Sequence, residues 1–157
     1  MKSKIIILVG PPLSGKDTYL DRIDKDDYII ISRDDILLSL HGTKDYLQAF
    51  KDVDQKIVDK ILKEKIKQSS ELKKNVIINM TNLSKKTRKR HLSKFHNSDY
   101  EKIAVVFPKL TTTQYQERNE KRKKEENKYI PQSVLISMLE SWEDVTTDEG
   151  FDQIIKL

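Results

Sequence analysis

The sequence predicts an α/β fold built on a parallel sheet with crossover helices, and three features point to it. Short apolar runs alternate along the chain with segments of helical periodicity, the order that βαβ units produce. The runs are apolar at consecutive positions, as strands buried on both faces require. A loop bounded by glycines directly follows the first run and precedes a helix-compatible segment, which is the strand–loop–helix context of a phosphate-binding site.

Ile5 to Val9 forms the first expected strand, Tyr28 to Ile31 the second, Val76 to Ile78 the third, Ile103 to Phe107 the fourth and Ile154 to Ile155 the fifth. Tyr46, Leu47, Phe50, Val53, Ile57, Ile61, Leu62 and Ile66 recur at helical steps and predict one long amphipathic helix over residues 45 to 68. A short helix is expected over Ile36 to Leu40. Ser84 is placed to cap a further helix, and Pro131 to open another whose Val134, Leu135, Met138, Leu139 and Trp142 read as core contacts.

A chain of 157 residues can bury one sizeable core, so residues 1–157 are expected to form a single domain. No apolar run is long enough to span a membrane and no leader pattern is visible, so an intracellular, cytoplasmic protein without a membrane partner is expected. With no cysteine and 3 scattered histidines, thiol chemistry, disulfides and a zinc motif drop out, and any metal should be a hard, oxygen-bound ion. The net charge of +5 is modest, but the positive charge gathers in two segments, Lys85 to Lys94 and Arg118 to Lys128. Each reads first as a solvated helix face, so a polyanionic partner needs independent support.

The sharpest local signal is Gly10-Pro11-Pro12-Leu13-Ser14-Gly15-Lys16-Asp17-Thr18. A phosphate needs inward-facing N–H donors, which a tight loop at a helix N-terminus supplies, and a mobile cation, which Lys16 supplies to the β and γ phosphates. The position after this lysine is ordinarily a Ser or Thr whose hydroxyl ligates Mg²⁺, and here it is Asp17. A carboxylate is a competent hard ligand, so Asp17 is the candidate Mg²⁺ contact, while Thr18 is placed towards the α phosphate. The loop therefore predicts a nucleotide, with ATP or another NTP as phosphate donor.

The second strand runs into Ser32-Arg33-Asp34-Asp35-Ile36, which places two carboxylates at a strand's C-terminal end, where ligands gather in open α/β sheets. A hydroxyl attacking the γ phosphate benefits from a carboxylate that orients it and takes its proton. Asp34 or Asp35 can fill that role, and the other can cap the helix that follows.

With these blocks in view, the chain resembles the polynucleotide 5′-hydroxyl kinase family, in particular the phage-type kinase domain. The resemblance is carried by Gly10 to Thr18, by Ser32 to Asp35, by Val76-Ile77-Ile78-Asn79-Met80-Thr81-Asn82-Leu83, and by Arg118-Asn119 through Arg122 to Ile130-Pro131. It implies a three-layer, nucleoside-monophosphate-kinase-like P-loop NTPase fold of about five strands with helices on both faces and a basic lid near residues 118–131. It also implies ATP–Mg²⁺ as donor and a DNA or RNA hydroxyl as acceptor. By position, Lys16 would stabilise the transferring phosphoryl group and Asp34 would be the general base. Arg33, Asp34, Asp35, Thr81 and Asn82 would line the acceptor site, and Arg118 and Arg122 would be the lid arginines that neutralise charge on the γ phosphate. Lys121, Lys123, Lys124 and Lys128 read as solvated lid residues.

Two positions depart from the pattern: Leu37 stands where the phage-type kinase has an arginine for the acceptor phosphate, and Met80 where it has an acidic residue. The acceptor side is thus altered more than the donor side. A related phage kinase acting on a base hydroxymethyl group, such as 5-hydroxymethyluracil in DNA, would accommodate that change, and a small-molecule or deoxynucleotide kinase is a further alternative. A non-catalytic nucleic-acid-binding module would not need Lys16, Asp34 and Arg122 together.

Overall fold

The computed structural model describes residues 1–42 and 45–157. Its apolar runs form five strands, β1 (Ser3–Val9), β2 (Tyr28–Ile31), β3 (Asn75–Ile78), β4 (Tyr100–Val106) and β5 (Gln153–Lys156). All pair in parallel, in the order β2-β3-β1-β4-β5. Among the described residues seven helices accompany them: α1 (Lys16–Arg22), α2 (Arg33–His41), α3 (Tyr46–Asp52), α4 (Gln55–Glu71), α5 (Lys85–Leu92), α6 (Thr112–Glu126) and α7 (Gln132–Glu140). A 3₁₀ turn, Thr147–Glu149, precedes β5.

Successive strand residues point to opposite faces, and the core divides accordingly. Ile5, Ile7 and Val9 of β1 join Val76 and Ile78 of β3 beneath α2 and α4, with Ile36, Leu37, Val58, Leu62 and Ile66 contributed by those helices. Leu8, Ile77, Ile103 and Val105 face the other way and pack with Leu20 of α1. Burial on both faces explains why the strands read as continuous apolar runs. The connections decide where a ligand fits: β1 leads to β2 beyond β3, whereas β3 leads to β4 beyond β1. The chain therefore leaves these two neighbours in opposite directions, and a crevice opens at their C-terminal ends.

Several expectations need correction. The single helix expected over residues 45 to 68 is two, because Val53 is extended and the Asp54 side chain accepts the Lys56 amide, starting α4 afresh. Leu47, Phe50 and Ile57, read as buried positions of one helix, lie 43%, 52% and 50% exposed as a result. Val134 is likewise exposed, while Leu135 and Trp142 are buried. Helix α2 begins earlier than Ile36, and its cap is the Ser32 hydroxyl, which accepts the Asp35 amide, so neither carboxylate caps it.

The first basic segment is not simply a solvated face. Ser84 caps α5 as expected, but Arg88 within it is fully buried. Its guanidinium donates to Glu149 at 2.7 and 3.2 Å and to the carbonyls of Asn82, Leu83 and Asp144. It thereby fastens the turn after β3 to the 3₁₀ turn before β5. Among the described residues, no helix is long and apolar enough to cross a membrane.

Candidate active site

The glycine-bounded loop closes over the crevice between β1 and β3. The Gly10 amide donates to the Thr81 carbonyl at 3.0 Å, so the loop after β1 is tied to the segment after β3. A Cβ on Gly10 would stand 2.7 Å from Ser14 Oγ and 3.0 Å from Phe107 Cβ, so any side chain here would force Ser14 and Phe107 to shift. Ser14 in turn donates to the Pro11 carbonyl at 2.7 Å. Gly15 starts α1 in the left-handed region at φ 97°, where glycine costs least. Leu13 also lies in that region at φ 72°, and a buried contact with Tyr115 of α6 and Leu135 of α7 holds it there. Its carbonyl accepts from Arg118 Nη1 at 2.8 Å. The loop is thus braced from below by the sheet and from the side by α6 and α7.

Lys16 folds back onto this loop, its Nζ donating to the Gly10 and Pro11 carbonyls at 2.8 and 2.7 Å. Burial lowers its pKa to about 8 against the opposing pull of Asp17 and Asp34, with Arg122 and Lys128 adding to the depression. Groups from α1, α2 and α6 and from the segment after α6 therefore act on one ammonium. An anion among them would relieve the repulsion between cations, and this is the sense in which the loop fits a polyphosphate. Pro12 is half-buried along the loop and Thr18 is exposed on α1.

Three carboxylates face this cluster. Asp17, exposed in the first turn of α1, accepts the Asn79 side-chain amide at 3.2 Å. Asp34 and Asp35 occupy the first turn of α2. Burial, together with the charges of Asp17 and Asp34, pushes the Asp35 carboxyl above its ordinary value. Asp34 lies 3.6 Å from Lys128 Nζ, with its side chain 49% exposed, and burial together with its charge pushes the Tyr46 phenol up to about 12. Hard oxygen donors suit Mg²⁺, but among the described residues no group of three or more acidic or histidine side chains forms a cage.

Residues 5–145 match the family described as AAA domain. The chain belongs to that family. No match was found among curated proteins. Among solved structures, a chain of the Pnkp1/Rnl/Hen1 RNA repair complex superposes with a TM-score of 0.70 at 23% identity; the match covers 89% of this chain and 44% of that one. Kti12 of Chaetomium thermophilum, solved with ADP-AlF3, gives 0.68 at 19% identity, covering 98% of this chain and 88% of its own. A fungal RNA kinase gives 0.62 at 15% identity, covering 100% and 75%. At these identities the likeness is one of fold. The chain thus spans less than half of the repair-complex chain it matches but most of Kti12. The five-stranded parallel sheet is that of the P-loop NTPases.

The remaining sequence-predicted residues fall into two groups. Arg122 is half-buried beside its i+4 neighbour Glu126, with Nε–Oε2 at 3.7 Å, and its charge reaches Lys16. Thr81 is half-buried at the end of β3, with its carbonyl on the loop. Asn82 is turned inward and 1% exposed, donating to the Leu8 and Met80 carbonyls, so it shapes the turn and presents no group to an acceptor. Arg33 reaches across to α4, donating to Gln55 at 2.7 Å and Asp59 at 3.1 Å. Asn82 is thus enclosed in the turn, while Arg33, half-buried, is engaged by α4.

Three residues emerge that the sequence reading left without a role. Asn79 holds Asp17, Lys128 faces Asp34, and the Tyr46 ring lies 4.5 Å from the Lys128 ammonium. Tyr46 was hidden among the apolar positions of a helix, and Lys128 among solvated lysines. Only the position of Asn79, immediately after a strand, carried a signal.

Proposed function

We propose that this chain is an ATP-dependent kinase that transfers the γ-phosphate to a hydroxyl of a nucleic acid, the 5′-OH of DNA or RNA. The observation that carries the reading is the glycine-bounded loop with Lys16 folded onto the Gly10 and Pro11 carbonyls, near enough to Asp34 of α2 and Arg122 of α6 for their charges to act on its ammonium. A donor-side cation, a candidate base and a guanidinium then act on one another at the mouth of one loop. The RNA kinase and RNA repair proteins among the structural neighbours favour a nucleic-acid acceptor over other hydroxyls.

In this reading residues 1–157 act as one kinase domain whose lid comprises residues 118–131. Lys16 and the loop amides bind the phosphates of the donor. Arg118 fixes the loop through Leu13, and Arg122 offers its guanidinium to the oxygens of the transferring group. Asp34 takes the acceptor proton as the acceptor oxygen bonds to the γ phosphorus; the bond from that phosphorus to the β-phosphate oxygen breaks, and ADP leaves with the electron pair. Asp17, steadied by Asn79, is the residue that would hold Mg²⁺, which supplies charge neutralisation across the β and γ phosphates.

The experiment is transfer of labelled γ-phosphate, run in parallel on 5′-OH DNA and RNA oligonucleotides, DNA containing 5-hydroxymethyluracil, free nucleosides and nucleotides, and small polyols. Label on the oligonucleotide 5′ ends, lost in Lys16→Ala and reduced about 10²- to 10⁴-fold in Asp34→Ala, is expected. Label on the modified base, on free nucleotides or on polyols instead would overturn the acceptor assignment and keep the phosphotransfer. Label on none of them would overturn the reading.

A further inference from the structure

The segment after α6 folds back across α3. Asn127, left-handed at φ 50°, ends α6 and directs its side-chain amide to Asp45 at 3.4 Å. The next residue, Lys128, places its Nζ 4.5 Å from the centre of the Tyr46 ring and 3.6 Å from the Asp34 carboxylate. One turn further along α3, the Phe50 ring lies 6.1 Å from that of Tyr46 at a tilt of 32°. A carboxylate, an ammonium and two rings therefore follow one another, each within reach of the next, starting from the candidate base.

Phe50 is 52% exposed. A single apolar side chain in water is ordinary, and by itself it marks no site. Phe50 differs in its neighbours: positions 46 and 50 share one face of α3, so the exposed ring extends a row that already holds a cation and leads to Asp34. The chain that bears this cation repeats the pairing one residue on, where Lys123 Nζ lies 5.1 Å from the centre of the Tyr129 ring. Rings interleaved with cations are what an unpaired strand requires, because each base offers a π face to stack and each phosphate a charge to neutralise. A polyol acceptor would need hydrogen-bonding groups in this place, and the Phe50 ring has none.

We propose that Phe50, with Tyr46, is a stacking platform for the unpaired bases at the 5′ end of a single-stranded acceptor, and that Lys128 neutralises the phosphate lying between that platform and the hydroxyl at Asp34. The proposal rests on the reading of the chain as a 5′-OH kinase with Asp34 as base, and it adds the strandedness of the acceptor and the residues that read it. Bases must be free of a complementary strand to lie on these rings, so an overhanging 5′ end suits the surface and a blunt duplex has to open first. Lys128, with its side chain 20% exposed, is already held between Asp34 and the Tyr46 ring, so the cation is in place before a strand arrives.

The test uses 5′-OH DNA and RNA strands of about ten nucleotides, the span of a single-strand site, with a fluorophore at the 3′ end so that binding is read by anisotropy. Phe50→Ala should raise both the Kd and the KM for these strands about 10- to 100-fold, as for loss of one stacked base, with the KM for ATP unchanged. Phe50→Trp should bind as the wild type does, whereas Phe50→Leu, which keeps an apolar surface without a π face, should lose affinity as Phe50→Ala does. Lys128→Gln should weaken binding and lower the slope of log Kd against log salt by about 0.7, the value of one phosphate contact on a single strand. The same sequence in a blunt duplex should bind more weakly than the strand. Wild-type affinity in Phe50→Ala, full binding in Phe50→Leu, or a blunt duplex bound as tightly as the strand would overturn the proposal. Label carried by a polyol or a free nucleotide, with none on any strand in the wild type, would instead sink the reading on which it rests.

Discussion

The two basic segments of this chain have similar composition and opposite fates. In α5 the arginine at the centre of the run is swallowed: Arg88 is fully buried against Glu149 and three carbonyls, and His91 beside it is buried with Nε2 lacking a hydrogen bond. In α6 the arginines stay near the surface and reach towards the loop, Arg118 through the Leu13 carbonyl and Arg122 through its field on Lys16. One basic helix joins the turn after β3 to the 3₁₀ turn before β5, and the other carries charge to the candidate site. A run of lysines and arginines announces neither outcome. What decides it is whether acceptors wait on the buried side.

Breaking the structural member should give the larger effect. Arg88→Ala leaves the Glu149 carboxylate, 7% exposed, without its partner, and the loss should be about 3–5 kcal/mol in urea unfolding. Such a variant, where folded, should bind ATP normally. A loss below about 1 kcal/mol would mean that water reaches Glu149 and that α5 is no more structural than α6.

Arg122→Ala should do the reverse. Its kcat should fall about 10²- to 10³-fold while unfolding stability changes little, because the guanidinium is matched to charge that appears during transfer. Arg122→Lys should not restore the rate, since a point charge lacks the planar fork of donors. A parallel loss of stability and rate would place Arg122 with Arg88.

The buried histidine sharpens the contrast through pH. Burial, with Arg90 nearby, lowers the His91 pKa from 6.5 to about 4. The unfolded chain therefore binds a proton in that window that the folded one does not, so stability is full above pH 6.5 and is lost as pH falls towards 4. Linkage puts the loss at about 3 kcal/mol, and denaturant titrations across this range should show the slope in the wild type and its reduction in His91→Gln.

Lys16 responds in the opposite pH range and in binding. Its pKa of about 8 means that above this pH the ammonium must regain a proton before it can meet phosphate. ATP affinity should therefore be flat below about pH 8 and weaken by up to about tenfold per unit above it. Isothermal titrations in buffers of different ionisation enthalpy would read the proton taken up. A flat affinity across that range would mean that Lys16 stays charged and lies more open to water.

Much of this was legible beforehand. The five strands were readable because parallel strands covered on both sides must be apolar at every position, and the loop because a phosphate cradle leaves little freedom in residue type. The break at Val53 and Asp54 was not, because the apolar periodicity runs through it almost in register while a side-chain cap restarts the helix. Asn82 and Arg33 looked like acceptor contacts from their neighbours in sequence, but the nearest unsatisfied groups in space, the Leu8 and Met80 carbonyls and the α4 side chains Gln55 and Asp59, claim them.

By itself the sequence determined the α/β class, the order of strands and helices along the chain, the phosphate loop with Lys16 and the presence of a carboxylate pair after the second strand. These follow from local rules: periodicity, turn chemistry and the spacing of a few residues along one segment. Which of the two aspartates is faced by a lysine, which lysine leaves solvent to face it, and which basic helix becomes core were settled only by tertiary structure. Each of those outcomes depends on groups distant in sequence competing for the same hydrogen bonds and the same desolvated space, and that competition exists only once the sheet has brought them together.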